Sequence, residues 1–220
     1  IDLARAFANI HPSLAVGGGG GPSSSDATTS IAVGLLNYVV GNIGKTVQFH
    51  SYSSLDKINP HSDILALVDQ MKRGEIPLLF IHGANPVFAL PERAGFRDGL
   101  KKVPFKAAFS EFLDETTAEA DLILPVHDPL ESWGDYSPRE GVYNLIQPVV
   151  QPLYQTRSLG DTLLALAKKM DSNIAKQLPW PSFYDYLRDS WRELQTHLGS
   201  NEPFETFWQQ ALGNGGVWKE

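Results

Sequence analysis

Two hundred and twenty residues suit one large domain or two small ones, and 42% hydrophobic with 20% charged residues is the balance of a globular chain with material for a core. Eighteen Lys and Arg against 25 Asp and Glu leave a formal charge of −7, which offers no electrostatic footprint for nucleic acid or an anionic membrane surface. The absence of cysteine excludes disulfides, zinc fingers, cysteine-ligated iron–sulfur clusters and cysteine nucleophiles within these residues.

The chain opens at Ile1 in a helical pattern over 2–9 that Pro12 stops, as expected of a piece excised from a longer protein. Leu14-Ala15-Val16 reads as a short strand, and five glycines, Gly17 to Gly21, follow it. Pro22, three serines and Asp26 then lead into the apolar stretch 31–40. That stretch falls well short of the ~20 apolar residues of a spanning helix, so no insertion into a membrane is expected. Strand, glycine loop and helix form the entry half of a βα unit. The glycine run reads either as a flexible loop or as an anion cradle of backbone N–H groups, with Gly17 and Gly18 leading it. It is neither a GxGxxG nor a P-loop, since no lysine follows.

Residues 45–62 read as irregular, and a helix capped by Ser62 or Asp63 runs to Gly74. Pro77-Leu78-Leu79-Phe80-Ile81 reads as a fully buried strand, because it lacks the alternation of a one-sided sheet. Gly83-Ala84-Asn85-Pro86 stands at its carboxyl end, where doubly wound sheets bind ligands, and a plain tight turn is the other reading. A helix over 93–102, a strand over 105–109, a helical stretch at 116–120 and a strand over 121–125 complete an alternating pattern. The fold class expected is α/β: a doubly wound, mainly parallel sheet with helices on both faces. Residues 126–157, rich in Pro, Gly, Tyr and Trp, read as a long ordered loop over the sheet's carboxyl edge. An amphipathic helix over 158–170 and an aromatic-rich helical C-terminal extension end the chain, with domains expected at 1–170 and 171–220.

The six histidines lack metal-site spacing, so no metal ligand is expected. His82 and His127 both read as facing the sheet edge, in structural roles. Glu111, Asp114 and Glu115 before Thr116 and Thr117 read as a helix start carrying its favoured acids, with an acid–base pair as the alternative.

The segments LLNYVVGNIGKTV (35–47), PLLFIHGANPVFALP (77–91), FSEFLDETTAEADLILP (109–125) and ESWGDYSPREG (131–141) together resemble molybdopterin oxidoreductases of the dimethyl-sulfoxide-reductase type over residues 30 to 170. The resemblance implies a bis-molybdopterin guanine dinucleotide cofactor, with the G-x-N-P turn (Gly83, Asn85, Pro86) against one pterin dinucleotide. It makes Thr116 to Pro125 a mainly structural signature. Two departures bear on cofactor binding. Ser110 stands where the family usually carries an acid, with Glu111 one place later. Pro138 and Val142 replace an Asn and an Arg of the catalytic pattern; Pro has no donor and Val forms no charge-assisted bond, which leaves Arg139 and Arg157 as available cations.

The stretch ESWGDY…REGVYNLIQPVVQPLYQTRSLGD is most similar to the molybdopterin-like subunit of alternative complex III, and is also similar to polysulfide-reductase-type catalytic subunits. The resemblance implies partners in the rest of a parent chain and in iron–sulfur and membrane-anchor subunits of a bacterial, membrane-associated respiratory complex, on its periplasmic face. It also implies a lost cofactor, and with Ser110, Pro138 and Val142 in place of stronger ligands the cleft is expected to be empty or filled by the 126–157 loop through Trp133, Tyr136 and Tyr143. The alternative is the cofactor-binding domain of an active polysulfide- or thiosulfate-type reductase. No catalytic residue is expected in this chain, and alone it is expected to bind no cofactor and to turn nothing over.

Overall fold

The structure, a computed structural model, describes residues 1–17, 24–49, 58–170 and 172–219. The chain divides into two compact units, Ile1–Tyr52 and Ser53–Glu220.

The first unit holds helices α1 (Asp2–Asn9) and α2 (Ser24–Val39). Leu14-Ala15-Val16 is irregular chain rather than the strand its apolarity suggests. One side-chain amide takes both backbone groups of its middle residue: Asn37 Oδ1 accepts from Ala15 N at 3.0 Å and Asn37 Nδ2 donates to Ala15 O at 2.8 Å. Asn37 and Asn42 are both buried, and Asn42 Nδ2 donates to Asn37 Oδ1 at 2.9 Å. A buried amide is tolerated only when so engaged. Gly17 lies close against α2, where a Cβ would stand 2.6 Å from Val33 Cγ2.

In the second unit α3 (His61–Lys72) leads to strand β1 (Leu78–His82). Then come a short helix α4 (Pro86–Ala89), a 3-10 turn Glu92–Ala94, α5 (Phe96–Leu100) and β2 (Phe105–Ser110). A 3-10 turn Thr117–Glu119 precedes β3 (Leu122–Pro125). The three strands form a parallel sheet in the order β1-β2-β3, with Leu78 opposite Phe105 and Ala107 opposite Leu122. The fold is α/β, its βα connections being the crossovers that parallel pairing demands.

The strand face carrying Leu79 and Ile81 packs on a core of Val68, Met71, Phe96, Leu100 and Val103 from α3, α5 and the turn after α5. Val68 and Met71 recur at helical spacing, which is why α3 presents one apolar face. β1 is not the wholly buried strand its continuous apolarity predicts. Its residues alternate, and Leu78 and Phe80 on the other face remain nearly half exposed. Lys106 and Asp121 clasp β2 to β3: Lys106 Nζ donates to Asp121 Oδ2 at 2.8 Å, and Lys106 N donates to the same oxygen at 2.8 Å.

Residues 126–157 are not a single loop. Strands β4 (Gly134–Arg139) and β5 (Val142–Ile146) form an antiparallel hairpin, turning at Gly141 with φ +78°. Helix α6 (Leu159–Lys169) starts at Ser158, whose hydroxyl accepts from Asp161 N. Helices α7 (Ser172–Gln177), α8 (Phe183–Leu198) and α9 (Phe204–Asn214) follow. Strand β6 (Gly216–Trp218) returns to pair antiparallel with β5. The core here is aromatic: Trp191 and Trp208 are 1% exposed, with Leu145, Leu187 and Phe207 around them. Trp133 and Tyr184 pack against the same cluster. No described helix is long and apolar enough to cross a membrane.

Candidate functional site

The carboxyl ends of β1 and β2 open on a cleft of 280 Å³. His82, Gly83, Ala84 and Asn85 line it from the end of β1 and its turn, and Phe109, Ser110, Glu111, Phe112 and Asp114 from β2 and the loop after it. Gly83 has φ +60°, a conformation that glycine adopts without strain, and this lets the chain leave β1 sharply. Pro86 then occupies the first turn of α4, where its missing N–H costs nothing.

Asn85 is the N-cap of α4, and both its amide oxygen and one of its two amide N–H groups are engaged by the chain itself. Oδ1 accepts from the Thr116 hydroxyl at 2.7 Å and from Phe88 N at 3.4 Å, while Nδ2 donates to Glu115 Oε2 at 2.7 Å. Thr116, 1% exposed, also accepts from Val87 N through Oγ1 at 3.1 Å. The Glu-Thr pair of the third segment thus clamps the turn of the second. The Asn85 amide, followed by the backbone N–H of Glu115 itself, holds the Glu115 carboxyl below its usual range, so it stands charged near neutrality.

Ser110 is similarly engaged, donating from Oγ to Phe112 O at 2.7 Å and accepting from Phe112 N at 3.3 Å. Asp114 Oδ1 accepts from Thr116 N at 3.0 Å and Thr117 N at 2.7 Å, the geometry of a cap rather than of a free general base.

The structure therefore gathers Gly83, Asn85, Pro86 and Ser110 at one sheet edge. Gly17 belongs to the first unit, and Gly18 lies outside the described residues. His82 lines the cleft, but His127 does not join it. His127 borders a second cavity of 260 Å³, its Nδ1 2.6 Å from Thr156 Oγ1 and 3.9 Å from Glu131. Trp133, Tyr136 and Tyr143 leave the cleft open: Trp133 and Tyr143 belong to the aromatic core, and Tyr136 is 62% exposed. Burying the Trp133 ring against Trp208 and Tyr184 gains more than capping a polar cleft would. Thr116 and Glu115 carry more of the site than the sequence suggests, since nothing local signals a partner thirty positions away. Neither Arg139 nor Arg157 lines the cleft, and no described lining residue is Lys or Arg. Among the described residues no group of three His, Asp or Glu is placed to hold a metal ion.

A parallel sheet with a glycine–asparagine–proline turn at its carboxyl edge, clamped by a Glu-Thr motif, is an α/β arrangement with its cleft at the edge where open α/β sheets bind ligands. The family model for molybdopterin oxidoreductases matches residues 13–169, and the chain belongs to that family. It is 32% identical over 202 residues to the menaquinone reductase molybdopterin-binding-like subunit of Nitratidesulfovibrio vulgaris strain Hildenborough, covering 84% of this chain and 29% of that protein. It is 30% identical over 106 residues to the alpha subunit of a formate dehydrogenase from Methanocaldococcus jannaschii, covering 47% of this chain and 16% of that protein. Among solved structures, acetylene hydratase from Pelobacter acetylenicus superposes on 53% of the chain and 16% of its own length with a TM-score of 0.48 and 20% identity. The chain thus spans under a third of the relatives it matches.

Proposed function

We propose that this chain is the molybdopterin-family domain of a respiratory electron-transfer complex, kept as a structural part whose sheet edge does not grip a molybdopterin guanine dinucleotide. The observation that carries this is the chemistry of the cleft. A diphosphate brings negative charge and needs cationic or free amide donors. Here no Lys or Arg lines the cleft to meet a diphosphate, Asn85 has its oxygen and one of its two amide N–H groups engaged by Thr116 and Glu115, and the Ser110 hydroxyl is engaged by Phe112. The residues present do not fit the cofactor. The similarity to a subunit named molybdopterin-binding-like supports the same reading.

In this reading the family domain covers residues 1–170 and residues 171–220 form its helical extension. Its partners are the rest of a longer chain and the iron–sulfur and membrane-anchor subunits of a bacterial membrane-associated complex, on the periplasmic face. The chain supplies no catalytic residue.

One observation favours a second reading, that of a cofactor-binding domain of an active polysulfide- or thiosulfate-type reductase: the cleft is open instead of filled by Trp133, Tyr136 and Tyr143. In it Gly83, Asn85, Pro86 and Ser110, with Gly17 and Gly18, would face a molybdopterin guanine dinucleotide, which when bound supplies oxo- or sulfur-transfer chemistry.

Elemental analysis for molybdenum on the full-length protein, with release of guanine nucleotide on denaturation, separates the two. The structural reading expects neither; one molybdenum per chain, with its guanine nucleotide, overturns it.

A further inference from the structure

A separate groove of 430 Å³ runs between α4, the 3-10 turn after it and the start of α5. Val87, Phe88 and Leu90 give it an apolar wall, and Phe88 is left 76% exposed. Three carboxylates line it, Glu92, Asp98 and Glu115, against a single guanidinium, Arg97. Arg97 is already committed to Glu119 at 3.5 Å, and Lys101 meets Asp98 only in a loose, solvent-exposed pair at 3.8 Å.

The walls are held in place before any partner arrives. Asn85 caps α4, Thr116 accepts from Val87 N, and Lys72 Nζ donates to Ala94 O at 3.0 Å behind the turn. Gly95, with φ +69°, makes the tight corner, and a Cβ there would stand 2.5 Å from Lys72 Nζ. A preformed groove loses little freedom on binding, and an exposed aromatic on its apolar wall is the residue type that anchors interfaces.

We propose that this groove docks a partner polypeptide segment that lays an apolar side chain against Phe88 and sets Lys or Arg side chains on Glu92, Asp98 and Glu115. The surplus of carboxylates selects a basic segment and repels an acidic one. It also disfavours an anionic lipid surface. The groove shares no lining residue with the sheet-edge cleft, which it adjoins through the Glu115–Asn85 bond, so the proposal stands under either reading of that cleft.

The test is a fluorescence-anisotropy titration of the full chain with a short labelled peptide alternating Lys with Leu and Phe, beside the same peptide with Glu for each Lys. The Lys peptide is expected to bind, and more weakly as salt is raised. Phe88→Ser should weaken it by roughly tenfold. The near-isosteric pair Glu92→Gln with Asp98→Asn should weaken it by roughly fivefold. Arg97→Ala should tighten it, since it removes the competing cation and frees Glu119. Should Phe88→Ser fail to fold, the carboxylate pair and Arg97→Ala decide. Equal binding of the two peptides, no binding of either, or affinity indifferent to these substitutions overturns the proposal.

Discussion

Asn85 and Glu115 meet across thirty positions of sequence, Nδ2 donating to Oε2 at 2.7 Å, and this bond ties the turn after β1 to the loop after β2. With the Thr116 hydroxyl on Asn85 Oδ1, it makes the sheet's carboxyl edge one mechanical unit.

Breaking that link should cost stability in a charge-dependent way. Asn85→Ala removes a helix cap and leaves the buried Thr116 hydroxyl without its acceptor, a loss of about 1–2 kcal/mol. Asn85→Asp instead sets a second carboxylate against Glu115. Its penalty should be largest near neutrality and shrink in acid as one of the two takes a proton. Urea denaturation of both variants at neutral and acidic pH checks that the Asn85→Asp penalty shrinks in acid by more than the Asn85→Ala penalty does.

The acid side of the stability profile should depend on Glu115 and Asp121, beside the exposed Glu75 that the Arg73 guanidinium also holds low. Glu115 is held low by the Asn85 amide, and Asp121 by the Lys106 ammonium and then the Lys106 N–H. Both folded values lie below the usual 4.5 and 3.8, so each contribution is complete above those values and is lost as pH falls through the lower folded ones. Asp121→Asn should therefore flatten the loss of thermal stability below about pH 4, while lowering the melting temperature at neutral pH. An unchanged acid limb would refute the assignment.

Gly141 should tolerate no side chain. Its φ is +78°, a Cβ would stand 2.5 Å from Lys219 O, and its carbonyl accepts from Lys219 N at 2.7 Å. Gly141→Ala is expected to cost about 1–3 kcal/mol and to raise hydrogen exchange in β5 and β6 before the rest of the chain.

Trp191 joins α8 to β4 by both packing and a hydrogen bond, its Nε1 donating to Asp135 Oδ2 at 3.1 Å. Trp191→Ala should lose about 3–5 kcal/mol through the cavity it leaves. Trp191→Phe keeps most of the packing and should lose about 1 kcal/mol with the bond. Thermal melts followed by near-ultraviolet dichroism separate the two.

Much of the α/β half is legible along the chain because its signals are local. The apolar runs that become β1, β2 and β3 are bounded by Pro77, Gly83 and Pro125, and α6 begins at Ser158 with Asp161 three places on, a cap readable from spacing alone. The hairpin β4–β5 is not legible. Pro138 and the polar run around it hide a strand whose pairing is decided by Gly141 and by a third strand, β6, arriving from the far end of the chain. The strand expected at Leu14-Ala15-Val16 fails for a related reason, since a buried Asn37 offers its backbone a better partner than a neighbouring strand.

The sequence by itself determined the family, the parallel run of strands and the Gly-Ala-Asn-Pro turn at a sheet edge, because each rests on the order and spacing of neighbouring residues. Tertiary structure alone decided what those residues do. Asn85 is spent on Glu115 and Thr116, Trp133 goes to the aromatic core instead of the cleft, and Phe88 is left standing beside three carboxylates. Burial and hydrogen-bond partnership depend on which distant segments the fold brings within about 3 Å, and the one-dimensional order of residues does not contain that distance.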